Sequence, residues 1–219
     1  MDALDRPQPR LTTLYLEYLQ QHDTRSFIQQ VTQCYNESTL IRLTESGCVH
    51  TRRAAALVLG FIGTYRANDA LGTLLKDRDR TVRLIAEGSV KMVWSRDGSE
   101  EHRQQLYVVM RLIGDHHFGE AVNRANILLE EFPDYVEARN QRAIALFALK
   151  KFAEAIEDSR AVLDLNPYHF GAAIGMGHAY LQLRDQLSAI ECFLQALSIN
   201  PNLDSVRRHL ERLIQSWMR

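Results

Sequence analysis

The sequence holds little that breaks a helix, cross-links a chain or sets up a field. Only five prolines stand in 219 residues, at 7, 9, 133, 167 and 201, so many helices with short, regular punctuation are expected. β-Branched apolar residues are scarce as well. Val and Ile number 12 each against 29 Leu and 21 Ala, a balance that leans towards helix over sheet. Net charge is about −1, with 14 basic and 13 acidic groups in residues 1–104 and 12 and 14 in the remainder. No overall field therefore draws in nucleic acid or an anionic membrane. No run approaches the ~20 apolar residues of a membrane span. The three cysteines, Cys34, Cys48 and Cys192, are far apart and form no C-x-x-C pair. This excludes a disulfide framework and a thiolate zinc site, fits a reducing compartment, and makes each a small buried hydrophobe within a helical pattern. The opening MDALDRPQPR has no apolar signal core, and no Gly-rich phosphate loop, H-E-x-x-H or G-x-S-x-G occurs. A soluble, cytoplasmic, non-enzymatic protein without cofactor or metal is expected. Its 46% hydrophobic and 24% charged residues are those of a globular chain.

What is present is a ruler. Pro133, Pro167 and Pro201 are spaced by 34 and 34, within the phrases EEFPDYVEA, LDLNPYHFGA and LSINPNLDS. Twelve residues before each stands an alanine: Ala121, Ala155 and Ala189. Phe118 and Phe152 each precede theirs by three, and Leu187 stands two before Ala189. Two antiparallel helices need a small residue where their axes cross closely and bulk beside it. Proline then stops the second helix, and units that cannot bury their own apolar faces stack into a solenoid.

In these features the chain resembles the tetratricopeptide repeat family. Residues 170–203 carry Met176, Gly177, Tyr180, Ala189, Phe193, Ala196 and Pro201 on the family pattern. Residues 136–169 match through Ala143, Leu146, Ala155, Val162 and Pro167, and residues 102–135 through Leu112, Ala121, Leu128 and Pro133. Val109 replaces the usual small residue in the first copy. A last helix follows, with Leu203, Val206, Leu210, Leu213, Ile214 and Trp217 on one face and Arg207, Arg208, Glu211 and Arg212 on the other. It reads as a capping helix, or alternatively as an amphipathic helix for a membrane surface or partner.

The first half repeats differently. TRRAAALVLG (51–60) aligns with TVRLIAEGSV (81–90), pairing Thr51 with Thr81, Arg53 with Arg83 and Ala56 with Ala86. A shorter helix, STLIRLTES or NDALGTLLKD, precedes each. Residues 37–96 thus resemble HEAT-type helical repeats. In that family an Asp six residues before the Arg joins an Asp–Arg ladder between neighbours. Asp77 occupies that place for Arg83, but Gly47 occupies it for Arg53. Upstream, Leu11, Leu14, Tyr15, Tyr18 and Leu19 form one stripe and Phe27, Val31 and Cys34 another, so residues 1–36 read as cap helices or a degenerate repeat. Asp23 or Thr24 is a candidate helix cap there. The boundary is expected at Ser95–Ser99, with residues 99–219 forming three tetratricopeptide units and the capping helix. The fold class expected is all-α, an α-solenoid of stacked antiparallel helix pairs.

Two candidate sites follow. The tetratricopeptide resemblance implies a groove lined by the first helix of each unit. Its facing positions are Arg103, Leu106, Met110 and Ile113, then Glu137, Asn140, Ile144 and Phe147, then Gly171, Ile174, His178 and Leu181. Some family members clamp a terminal carboxylate there with Lys, Arg and Asn. Leu106, Met110 and Gly175 stand in the corresponding places here, which disfavours that mode and leaves a mainly apolar groove for a peptide or amphipathic helix. The second candidate is an edge formed by Arg52, Arg53, Arg80 and Arg83, contacting phosphate or an acidic partner unless Asp77 and Asp79 neutralise it as a structural ladder. Asp115–Glu120, with His116 and Glu120 four apart, reads as a solvated turn and not a metal site. The function expected is a non-catalytic interaction scaffold or adaptor. The alternatives are a lyase-like or cofactor-handling accessory of the HEAT-repeat kind and nucleic-acid binding along the Arg edge.

Overall fold

A computed structural model describes residues 9–217, with side chains to residue 215. The leader before Pro9 and the Trp217 side chain of the expected capping face lie outside the described residues. Among the described residues there are thirteen α-helices, one 3-10 turn and no strand, so the chain is all-α. Two compact units divide between Val93 and Trp94, which places the Ser95–Ser99 segment inside the second.

The first unit comprises α1 (Arg10–Gln21), α2 (Thr24–Cys34), α3 (Glu37–Leu43), α4 (Val49–Ile62), the 3-10 turn Tyr65–Ala67, α5 (Asn68–Leu74) and α6 (Arg80–Trp94), whose last residue opens the second unit. Local polar residues set the starts. The Asp23 carboxylate accepts the Ser26 N–H at 3.1 Å and the Asn36 side chain that of Thr39 at 2.9 Å, each satisfying a donor that a helix start leaves orphaned. Helix α1 is tied to α4 by a buried 2.7 Å bond between the Thr12 and Thr51 hydroxyls. Helices α4 and α6 cross at Gly60, where a Cβ would stand only 2.8 Å from that of Ser89. Of the cysteines, Cys192 is buried and Cys48 half-buried, but Cys34 is exposed. Phe27 and Val31 take the core side of α2, and Cys34, its last residue, turns outwards.

The second unit is a succession of helix pairs: α7 (Glu100–Gly114) with α8 (Phe118–Glu131), α9 (Val136–Ala148) with α10 (Phe152–Leu165), and α11 (Phe170–Gln182) with α12 (Gln186–Ile199). Helix α13 (Asp204–Trp217) packs on α12. Each helix contacts the next, and α7 touches α9 as α9 touches α11. The first helices of successive pairs therefore form one layer. Ser99 caps α7 through a capping box with His102.

The 34-residue period recurs in the hydrogen bonds. The N–H groups of His117, Lys151 and Asp185 donate to the carbonyls of Leu112, Leu146 and Tyr180 at 2.8, 2.9 and 2.9 Å, the closure of a helix end through a left-handed residue. That residue is His116, Lys150 or Arg184, at φ 61, 63 and 62°. None is glycine, and a side chain in this region strains the backbone. Lys150→Gly is expected to raise stability by about 0.5–1 kcal/mol, the relief of strain outweighing the added freedom of the unfolded chain. Urea unfolding of single Gly variants at the three turns measures this, and equal or lower midpoints would contradict it.

Candidate functional site

The layer formed by α7, α9 and α11 carries an open cavity of about 140 Å³. Helix α9 contributes Asn140, Ala143, Ile144 and Phe147, α10 contributes Ala155 and Ser159, and α11 contributes Gly171, Ala172, Gly175 and His178. Small residues dominate on α10 and α11. Ala155 is the repeat's close-packing alanine, and Gly175 has nothing within 4 Å of where a Cβ would lie, so the backbone itself forms part of the wall. Phe147 is held edge-on to Phe152 at 5.4 Å, and Ile144 stands on the rim, 43% exposed.

The expected groove residues separate into three groups. Asn140, Ile144, Phe147 and His178 come together around the cavity. Met110 is exposed on α7, whereas Leu106 is only 1% exposed and packs with Leu128, Leu129, Tyr135 and Ala138. Leu106 is thus core and not groove. Arg103 spends its guanidinium locally, donating to the Gly98 carbonyl at 2.9 Å and to Glu100 at 2.6 Å. Ile174 and Leu181 pack against the cluster built by Phe193 of α12 and Val206, Leu210 and Leu213 of α13. Helix α13 therefore covers Ile174 and Leu181 of α11, and the cavity opens between the second and third pairs.

Beneath the cavity floor lies a polar network that residue spacing did not reveal. Asn140 and Gln141 donate to one oxygen of Glu137 at 3.0 and 2.6 Å, and His169 reaches the other at 3.2 Å. His169 also accepts the Ala172 N–H on Nδ1 at 3.0 Å, so its Nε2 carries the proton given to Glu137. Trp94 stacks on the imidazole at a centroid distance of 4.1 Å. Burial opposes ionisation of Glu137, but the bonds from His169, Gln141 and Asn140 hold its carboxyl below the usual glutamate range. The network starts α11 and fixes Asn140, leaving one amide edge at the cavity. The signal in the sequence was a His two residues after Pro167, one repeat after Tyr135. On the opposite face of α9, Arg142 makes a two-pronged pair with Asp158 at 2.7 and 2.6 Å and donates to Asn126 at 2.8 Å.

The Arg edge resolves differently. Arg52 grips Asp77 with two bonds, 2.7 and 3.0 Å, and Arg53 grips Asp79 with two, 3.0 and 2.8 Å. Arg83 donates instead to the backbone carbonyl of Asp77 at 2.9 Å. Asp77 thus bridges to Arg52 through its carboxylate and not to the arginine six residues on. Arg80 is exposed. The hydrogen bond from Arg53, against a smaller effect of burial, holds the Asp79 carboxyl down at about 2. Two of the four arginines are consumed inside the first unit, and the edge is not a free cationic stripe.

Among the described residues no helix is long and apolar enough to cross a membrane. Residues 136–169 and 172–203 match the family described as tetratricopeptide repeat. A tetratricopeptide-repeat-containing protein of Rhizobium etli is 24% identical over 111 residues, covering 51% of this chain and 54% of that protein. The chain thus spans about half the length of that curated relative. The first tetratricopeptide domain of Spaghetti (RPAP3), solved with the HSP90 peptide SRMEEVD, is 22% identical with a TM-score of 0.53, over 56% of this chain and 97% of that one. The first such domain of human RPAP3 is 22% identical with a TM-score of 0.51, over 53% and 92%. At that identity the likeness speaks for the fold: the second unit is an α-solenoid of helix pairs, and its residues 136–169 and 172–203 carry tetratricopeptide repeats.

Proposed function

We propose that the chain is a non-catalytic interaction module whose groove takes a peptide or helix through an apolar anchor side chain. The observation that carries this reading is the cavity. A closed cavity of roughly this size, about 150 Å³, accepts benzene in another protein, so a Phe, Leu or Met side chain is a suitable occupant here. Its walls are apolar, with Asn140, Ser159 and His178 as polar handles. The Spaghetti domain holds an acidic heptapeptide. Leu106, Met110 and Gly175 supply no cation at the clamp positions here, which supports a different ligand chemistry. The first helix pair (102–135) is read as a further tetratricopeptide unit, and α13 as the cap on the last pair. Residues 37–96 are read as HEAT-like, supported by the two Arg–Asp rungs between α4 and the segment before α6. The site is read as acting in the cytoplasm.

Selection of random peptides displayed on phage against the full chain tests the reading. Wild type is expected to enrich sequences sharing one large apolar anchor, and Ile144→Asp, a rim change that leaves the core alone, to lose them. A charge at that rim is expected to weaken binding at least ~10-fold, since a desolvated charge without partner costs more than one hydrogen bond. Enrichment of nothing, or of the same peptides by Ile144→Asp, would count against the groove. Phe147→Asp is a poorer probe because Phe147 also packs on Phe152 and the cluster beneath.

A further inference from the structure

We infer that the anchor taken by the cavity is a tyrosine, whose phenol donates to the Asn140 side-chain oxygen and accepts from the Ser159 hydroxyl. The inference rests on the groove reading above and names the side chain that reading leaves open. Size admits any benzene-like group, so the choice falls to the polar atoms of the wall. A chain of donors behind Asn140 fixes which way its amide faces. The Ala172 N–H, which can only donate, occupies Nδ1 of His169. The neutral imidazole therefore carries its hydrogen on Nε2 and gives it to Glu137. Glu137 also accepts from Gln141 and, as a carboxylate, has no hydrogen to return. The Asn140 atom 3.0 Å from Glu137 is thus the donor Nδ2, which leaves the acceptor Oδ1 for the cavity.

Asn140 and Ser159 are 9% and 3% exposed, and both line the cavity from the paired helices α9 and α10. Neither the Asn140 Oδ1 nor the Ser159 Oγ has a hydrogen-bond partner among the described residues. A Phe, Leu or Met anchor would strip water from both oxygens and return nothing, leaving buried polar atoms unpaired. A phenol replaces that water: its O–H donates, its lone pairs accept, and both lie at the far end of an apolar ring. An indole N–H donates but cannot accept from Ser159, and a carboxylate brings only acceptors against Oδ1. The third polar group of the wall, His178, is exposed and keeps its water whichever anchor enters. The two buried oxygens therefore carry the selectivity.

p-Cresol and toluene reproduce the tyrosine and phenylalanine side chains and test the choice without a partner. Titrated into the full chain and followed by methyl and amide NMR, p-cresol is expected to bind severalfold tighter than toluene. Both are expected to shift Ala143, Ile144, Ala172 and Gly175. A cavity without polar demand gives the opposite order, because toluene leaves water more readily. Asn140→Leu is expected to produce that reversal. Ser159→Ala, a smaller change, is expected to reduce the preference and serves if Asn140→Leu does not fold. Toluene binding as tightly as p-cresol to wild type, with the same residues shifted, would overturn the tyrosine assignment and leave the apolar groove standing. A preference for p-cresol unchanged in the variants would overturn it as well. Shifts from neither compound would overturn the assignment together with the groove reading.

Discussion

Asp77→Ala is expected to destabilise the first unit by about 3 kcal/mol, because it leaves the Arg52 guanidinium buried without its counter-charge. The side chains of Arg52 and Asp77 are 7% and 9% exposed, and the two-pronged geometry satisfies both partners. After the substitution Arg52 retains only the carbonyls of Ser46 and Gly47, at 2.9 and 3.2 Å. Asp77 also accepts the Asp79 N–H at 2.8 Å, so the loop that sets Asp79 against Arg53 loosens as well. Replacing both partners, Arg52→Met with Asp77→Leu, is expected to recover much of the loss, since a buried pair contributes little net once neither charge is present. The urea transition with exchange of α4 and α6 measures both. Acid acts on the same rungs. The Asp79 pKa of about 2 lies below the unfolded aspartate value, so its stabilisation is full above about pH 4 and is lost as pH falls towards about 2. Asp77 is likewise lowered, burial being outweighed by Arg52 and the Asp79 N–H. Loss of cooperative structure in the first unit within that acid window is the expected result. An Asp77→Ala variant within about 0.5 kcal/mol of wild type would show the rung to be dispensable.

The second large effect is expected at Gly177. A Cβ there would stand 2.8 Å from Cε1 and 3.0 Å from Cζ of Phe193. The ring cannot swing aside, since it is fully buried and flanked by the imidazoles of His178 and His209. Gly177→Val is therefore expected to cost about 3 kcal/mol through overpacking, with the loss concentrated in α11–α13. Gly175, two residues earlier, is the control. With open space around it, Gly175→Ala is expected to raise stability by up to about 1 kcal/mol from helix propensity, while narrowing the cavity and weakening an anchored peptide. Thermal unfolding of the two variants separates a glycine kept for packing from one kept for the site.

The second half of the fold was legible because its determinants are local and periodic. Proline marks each pair's end, alanine the close crossing and glycine the approach to Phe193, and each acts within one 34-residue unit. Polar pairing between repeats was legible only in part: Asp77 and Asp79 stood out as neutralising the Arg edge, but not which arginine each takes. Glu137 and His169 are 32 residues apart and Arg52 and Asp77 are 25 apart, and nothing in spacing alone says which partner a buried carboxylate takes. The ladder rule set Asp77 in a ladder between neighbouring repeats without naming its partner, and the Arg52–Arg53 doublet lies opposite Asp77 and Asp79 and takes both carboxylates. Leu106 shows the same limit for the groove. The tetratricopeptide resemblance placed it in the groove, but Tyr135 and Leu128 pack against it and bury it.

The account's central claim is that the cavity between the second and third pairs receives an apolar side chain. Methyl and amide NMR of the full chain, titrated with a peptide enriched by the selection, tests it most directly. Shifts are predicted at Ala143, Ile144, Ala172, Gly175 and His178, saturating together. Shifts confined to the outward faces of α8 and α12, at Ile127 and Leu194, with the cavity signals unmoved, would contradict it.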